Sequence, residues 1–192
     1  MKHQLVLATE SQYKKNILKR LQVDFVSDAP NIDETPLQGE SAKTLTERLA
    51  VAKATAVALR HPDKIVISTD QSASVFGKIL TKPKEETKAV KMLKTLSGQR
   101  VTFFTTLGFA APGQSAKLHT EEVVVTIRQL EEAEILRYLA QDRPLDCVGS
   151  FKVESIGIGL FHAIESRDPT ALEGLPLIGL CQYLRDHGFK IP

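Results

Sequence analysis

At 192 residues and 42% hydrophobic, the chain is long enough to bury a full core, as one domain or as two closely joined lobes. A formal charge of +2 with acids and bases dispersed along the chain excludes a nucleic-acid-coating protein and an acidic tail. The apolar run in Met1–Glu10 is too short for a signal peptide, and no stretch approaches the length of a membrane span, so no membrane partner is expected.

Gln4 to Ala8 reads as a first strand and Thr9-Glu10-Ser11 as a turn with two candidate N-caps. Tyr13 to Leu21 carries Ile17, Leu18 and Leu21 at helical spacing. A helix that starts beside a sheet edge turns its free N–H groups toward that edge, a favourable place for phosphate, and Lys14 and Lys15 lie in its first turns. No glycine-rich phosphate loop accompanies them, so a solvated lysine face accounts for the same residues. Asp24 to Ser27 reads as a second short strand. Pro30 to Gly39 is then a loop carrying Asp33 and Glu34, which either cap and face water or hold a hard divalent cation.

A clear helix follows over about Ala42 to Arg60, with Leu45, Leu49, Ala52, Ala56 and Leu59 as its stripe. Lys53 falls at the margin of that face, where its ammonium either snorkels to water or points into a cleft. Lys64 to Gln71 runs from apolar, mostly β-branched residues into Ser68-Thr69-Asp70-Gln71. The pattern is that of a buried strand whose carboxyl end opens into a crevice, with Asp70 at the exit, although a plain polar turn fits the same letters.

Ser72–Phe76 and Lys78–Leu80 suggest a small hairpin around Gly77, and Lys84 to Leu96 a helix buried through Ala89, Met92, Leu93 and Leu96. Arg100–Ala110 and Leu118–Arg128 read as a long hairpin turning at Pro112-Gly113-Gln114. Glu131–Leu139 is a further helix, Asp142–Gly149 is irregular, and Ser150–Ile164 reads as an edge hairpin. Gly174–His187 is the last helix, with Leu177, Leu180, Cys181 and Leu184 inward. The alternation predicts an α/β fold with a mixed sheet. Cys147 and Cys181 form no close pair and have no histidine at metal-ligand spacing, which fits free thiols in a reducing cytoplasm.

Taken together and in order, several stretches resemble the Maf family of nucleotide pyrophosphatases over nearly the whole chain. They are Leu7-Ala8-Thr9-Glu10-Ser11, Ile32-Asp33-Glu34-Thr35-Pro36, Arg48-Leu49-Ala50 with Lys53, Ser68-Thr69-Asp70-Gln71, Lys82-Pro83, Leu96-Ser97-Gly98, Pro144-Leu145-Asp146, Gly149-Ser150-Phe151 and Gly174-Leu175-Pro176-Leu177. The resemblance implies one domain over residues 1–192. Its fold would be a mixed twisted sheet flanked by helices, with a cleft between two lobes as in the inosine triphosphatases. It implies hydrolysis of a nucleoside triphosphate to the monophosphate and pyrophosphate, with a divalent cation (Mg or Mn) as cofactor. Nucleic acid is not implied as a partner, and a homodimer is compatible with the family.

By the same resemblance Asp70 falls at the family's general base. Glu34, Lys53 and Lys82 fall where the family lines its phosphate and metal site, Glu34 and Asp70 as metal ligands. The chemistry agrees, since attack on a phosphoanhydride needs a group to orient or deprotonate water and cations to absorb phosphoryl charge. Thr9 and Lys14 belong to the amino-terminal motif, where the family has serine and arginine; lysine keeps the charge but not the forked grip of a guanidinium. Glu10 and Gln12 also depart from that motif, and in later motifs Ser68 and Thr81 each replace a glycine.

Tyr13, Gln71 and Glu154 occupy the positions that separate the branches. Gln71, Glu154 and Arg167-Asp168-Pro169 resemble the branch acting on 7-methyl-GTP, which has tryptophan where this chain has Tyr13. N7-methylation leaves guanine cationic, which favours an aromatic face, and Glu154 can accept from the base's N1–H and amine. The alternatives are a Maf-like pyrophosphatase for pyrimidine or other nucleotides, and a weakly active nucleotide-binding protein linked to septum inhibition.

Overall fold

A computed structural model of the chain describes residues 4–192; residues 1–3, part of the stretch weighed above as a leader, lie outside the described residues. Its spine is β3 (Ile65–Val75), an eleven-residue strand that is apolar at both ends and polar in the middle. Beside its first half runs β1 (Leu5–Ala8), parallel, with Leu5 opposite Ile65 and Ala8 opposite Ser68. The strand β2 (Phe25–Asp28) lies parallel on the far side of β1.

On the other flank of β3 lies β5 (Arg100–Ala110), antiparallel from Val66–Ala110 to Ser74–Thr102, followed by β6 (Lys117–Ile127) and β7 (Phe161–Glu165). A short β4 (Lys78–Leu80) folds back onto the end of β3. The result is a seven-stranded mixed sheet in the order β2-β1-β3-β5-β6-β7, with β4 paired to β3 off that path.

The helices are α1 (Gln12–Lys19), α2 (Ala42–Ala58), α3 (Glu86–Leu96), α4 (Glu132–Asp142) and α5 (Leu177–Asp186). They cover two large apolar cores, with a smaller cluster of Val6, Ala8, Val57 and Val66 under α2. One gathers Leu5 and Leu7 of β1, Leu18 of α1 and Leu180 and Leu184 of α5 on Ile65, Ile67, Leu107 and Phe109. The other gathers Leu93 and Leu96 of α3 and Ile135 and Leu139 of α4 on Ala73, Val75, Val101 and Phe103. Both β3 and β5 run through both cores. Where the cores meet, the buried residues are polar: Ser68, Thr69, Asp70 and Ser72 on β3, Thr105 and Thr106 on β5.

Helix α2 lies over that polar seam. Ser41 caps it by accepting from Thr44 N–H at 3.1 Å. The small residues Ala50 and Ala54 let it come down close to the sheet, where Ser68 Oγ donates to Ala50 O at 2.5 Å. Gly108 opposite is obligatory for that approach, because a Cβ there would stand 2.4 Å from Ala50 O and 2.5 Å from Ser68 Oγ.

The mixed α/β architecture is as expected, with four corrections. Asp70 does not end a strand. The run continues through Ser72 to Val75, since alternate positions meet α2 and keep a half-polar strand buried. Ser150–Ile164 is not a hairpin: it forms a 3₁₀ turn at Ile156–Leu160 and a strand only from Phe161. In the last helix the expected start at Gly174 moves to Leu177, after a left-handed Gly174 and Pro176 at the N-cap. The α2 stripe beyond Leu49 is Ala50, Lys53, Ala54 and Val57, whereas Leu59 is 79% exposed. Apolar letters suggested the other face because the true one contains a lysine.

Candidate active site

The site lies where the sheet is incomplete. Pairing of β3 with β1 stops at Ser68 and pairing with β4 begins only at Ala73, so Thr69–Ser72 have no strand neighbour on that side. Lys14, from the first turn of α1, donates Nζ to Thr69 O at 2.8 Å. Alternation along β3 then divides the side chains between the two faces of the sheet. Ser68, Asp70 and Ser72 meet α2, reaching Ala50 O, Lys53 and Ala42 O. Thr69 donates to Gly174 O at 2.9 Å, and Gln71 reaches Ala171 O at 3.0 Å and Leu172 O at 3.1 Å.

Around this gap opens a cavity of about 880 Å³, lined by Thr9, Tyr13, Lys14, Glu34, Lys53, Asp70, Gln71, Lys82 and Glu154. The nine residues that the resemblance assigns to the site therefore all line the same cleft, whereas Asp33, weighed as a cation ligand, does not. Lys15, also weighed for phosphate, is not among the lining residues.

At the centre, Lys53 Nζ stands 2.6 Å from Asp70 Oδ1 and 2.8 Å from Glu34 Oε1. The Lys53 and Asp70 side chains are each 8% exposed, whereas that of Glu34 is 56% exposed. Burial works against the Lys53 ammonium, but the Asp70 and Glu34 carboxylates outweigh it and hold Lys53 above the ordinary lysine range. Lys14 goes the other way. Burial and the neighbouring Lys53 charge push it down to about 8, against the pull of Asp70 and Glu34.

Glu34 owes its place to its loop. Asp33 accepts from Thr35 N–H at 2.9 Å and Thr35 Oγ1 at 2.7 Å, so of the adjacent acids Asp33 is the turn-former and Glu34 the one directed inward. Arg48 of α2 fixes the loop, gripping Glu40 at 2.7 and 2.8 Å and Thr35 O at 3.1 Å. Asp168 is likewise structural: it accepts from Thr170 N–H at 2.9 Å and Ile178 N–H at 2.7 Å, anchoring the start of α5.

The two carboxylates meeting at Lys53 fit a hard cation. Magnesium is bound through one or two carboxylates together with substrate phosphates and waters. Among the described residues no group of three or more histidine, cysteine, aspartate or glutamate side chains converges as a ready-made metal cage.

Gln71 is less free than its place suggests. Its amide nitrogen donates to Thr105 Oγ1 at 3.0 Å as well as to Ala171 O and Leu172 O, so it holds the 171–174 turn against β3. Tyr13 is 43% exposed, with Lys152 Nζ 5.8 Å from its ring centroid, and Glu154 is exposed at the cavity rim. Cys147 also lines the cleft, but burial and the adjacent Asp146 push its thiol up to about 12, so it is no ready nucleophile. Glu10, Lys84, Asp146 and Glu173 also line the cleft, and of these Lys84 and Glu173 were not weighed beforehand. The tripeptide Lys82-Pro83-Lys84 held the signal for Lys84, since proline fixes the backbone between two lysines.

A family model described as Maf-like protein matches residues 4–187. A 7-methyl-GTP pyrophosphatase of Xanthomonas oryzae is 45% identical over 100% of both chains. One of Pseudomonas aeruginosa is 42% identical over 98% of each. Among solved structures, the Ham1 protein of Staphylococcus aureus is similar over 65% of this chain and 71% of its own, at 22% identity and a TM-score of 0.47. By the span of the family match and the identity of these relatives, the chain belongs to the Maf-like protein family.

Proposed function

We propose that the protein hydrolyses 7-methyl-GTP to 7-methyl-GMP and pyrophosphate, removing a modified nucleotide, with residues 1–192 acting as one unit. The observation that carries the hydrolysis is the pairing of Lys53 with Asp70 and Glu34 inside a cleft that Lys14 and Lys82 also line. The names of the relatives support the choice of base.

Asp70 orients a water for attack at the α-phosphorus and takes its proton. Lys53 fixes the Asp70 carboxylate by a direct hydrogen bond, so water meets an acceptor already aimed. Lys14 and Lys82 neutralise charge on the triphosphate and on departing pyrophosphate. Lys14 also ties to Thr69 O, which places its ammonium beside the backbone of the catalytic strand. Glu34 and Asp70 would hold a divalent cation, which would supply further charge neutralisation at the phosphoryl oxygens. Tyr13 offers an aromatic face to the cationic base and Glu154 accepts from its N1–H and amine. Thr9 accepts from Ser11 N–H at 3.1 Å and so shapes the turn before α1. Gln71 positions the 171–174 turn instead of reading the base.

The deciding experiment is pyrophosphate release from a panel of 7-methyl-GTP, GTP, UTP, CTP and dTTP with added magnesium or manganese. Fastest turnover of 7-methyl-GTP is expected. Preference for a pyrimidine triphosphate would overturn the base assignment, and no pyrophosphate from any member would overturn the hydrolysis.

A further inference from the structure

We propose that a lysine-lined groove continuing from the nucleotide cleft is a subsite for substrate atoms beyond the third phosphate. With it the protein also cleaves dinucleoside triphosphates that carry a 7-methylguanosine end. The proposal rests on the 7-methyl-GTP assignment above and extends it.

The groove has a volume of about 610 Å³, within the range of small-molecule sites. It shares Lys82 and Lys84 with the nucleotide cleft and adds Lys88 and Lys91 from α3. Those four lysines line it without a single acidic residue, in a protein whose net charge is only +2. Glu85 beside the groove pairs with Lys88 at 3.1 Å, while Lys82, Lys84 and Lys91 enter no ion pair among the described residues. Lys88 and Lys91 lie three residues apart on one face of α3, so both ammonium groups are presented to the same groove.

Lys84 adds an independent sign. Its φ of +61° is a conformation that a side-chain-bearing residue rarely adopts, and its N–H donates to Leu145 O at 2.9 Å. The backbone is thus held at the junction of cleft and groove, with the lysine where the two cavities meet. Met92 and Leu80 add an apolar lining, suited to a nucleoside and superfluous for inorganic phosphate alone. A second nucleoside joined through the third phosphate would bring ribose hydroxyls and base acceptor atoms for the Lys88 and Lys91 ammonium groups to meet.

The chemistry is that of the parent reaction with a larger leaving group. Water oxygen bonds to the α-phosphorus on the 7-methylguanosine side, and the α–β bridging P–O bond breaks. The electron pair of that bond leaves with the bridging oxygen, as the terminal oxygen of a nucleoside diphosphate. The water proton passes to Asp70. The products are 7-methyl-GMP and, from a guanosine partner, GDP.

The test compares 7-methyl-GTP with its guanosine-capped counterpart, 7-methylguanosine linked 5′–5′ through three phosphates to guanosine, with magnesium present. Products are separated by chromatography. The wild type is expected to release GDP from the dinucleotide. Lys88→Ala/Lys91→Ala is expected to lower kcat/KM for the dinucleotide about tenfold and leave that for 7-methyl-GTP within about twofold, because exposed charge contacts are individually weak. Hydrolysis of 7-methyl-GTP without GDP release from the dinucleotide would overturn the subsite. So would an equal loss on both substrates. If 7-methyl-GTP itself is not hydrolysed, the base assignment fails instead, and the same ratio is read on the triphosphate that the panel prefers and its dinucleoside counterpart.

Discussion

Lys53 illustrates what one buried cation does when two acids share it. Asp70 is as deeply buried as the lysine, whereas Glu34 is largely in water, so the two pairs are not equivalent. Removing the lysine strands a carboxylate that cannot easily rehydrate. Lys53→Met is expected to cost about 3–5 kcal/mol of stability in urea denaturation, and Lys53→Met/Asp70→Asn to recover most of it, because the second change removes the orphaned charge. Asp70→Asn alone keeps the shape and loses the proton acceptor. It is expected to lower kcat about 10²–10⁴-fold with an unchanged circular dichroism spectrum; a normally active variant would take Asp70 out of the mechanism.

Lys14 gives a pH dependence whose sign is fixed by its depressed value. Folded Lys14 titrates near 8 and unfolded lysine near 10.5, so between these values the unfolded chain binds more protons and stability rises with pH. Below 8 both states are protonated and the penalty is fully present. Lys14→Gln is expected to raise stability at pH 7 and flatten the rise between pH 8 and 10.5 in denaturant titrations. The same deprotonation weakens triphosphate binding, so KM is expected to climb above pH 8 in the wild type and not in Lys14→Gln.

Asp70 was legible because a carboxylate interrupting an apolar strand is conspicuous, and the lysines because they recur near motif positions. The commitment of Gln71 to Thr105, Ala171 and Leu172 was not legible. Its partners are 34, 100 and 101 residues away, and no local pattern carries that information.

At the scale of the element, the position of Lys53 depends on how close α2 lies to the sheet. Gly108 is where the spacing is set, since Ala50 O occupies the place of its missing Cβ. Gly108→Ala is expected to lift α2, destabilise the fold by about 1–3 kcal/mol and lower kcat by separating Lys53 from Asp70. Denaturation and steady-state kinetics read the two effects separately.

Helices and hairpins were visible from periodicity and turn residues, with ends off by a few positions. Two of the failures share a cause. A half-polar strand such as Ser68–Ser72, or a helix face containing a lysine, breaks the local rule because tertiary partners satisfy it from elsewhere. The same partners build the site.

At the scale of the molecule, local pattern offered only a crevice at one strand's end and the resemblance supplied the two-lobed cleft, because its two main cores are assembled from segments that alternate along the chain. One property of the sheet sets its mechanics. β3 and β5 cross from one core to the other without a break, their register continuous from Val66–Ala110 to Ser74–Thr102. Two bodies welded by a double girder cannot swing apart like jaws on a flexible joint, because every degree of opening would shear backbone hydrogen bonds at the seam. Ligand capture must then be carried by the peripheral spans at residues 29–41 and 143–155. Hydrogen exchange with and without 7-methyl-GTP is expected to slow in those spans and to leave the central amides of β3 and β5 unchanged. Asp70, the proposed base, sits on this shared strand, so its aim is expected to stay constant as a nucleotide binds.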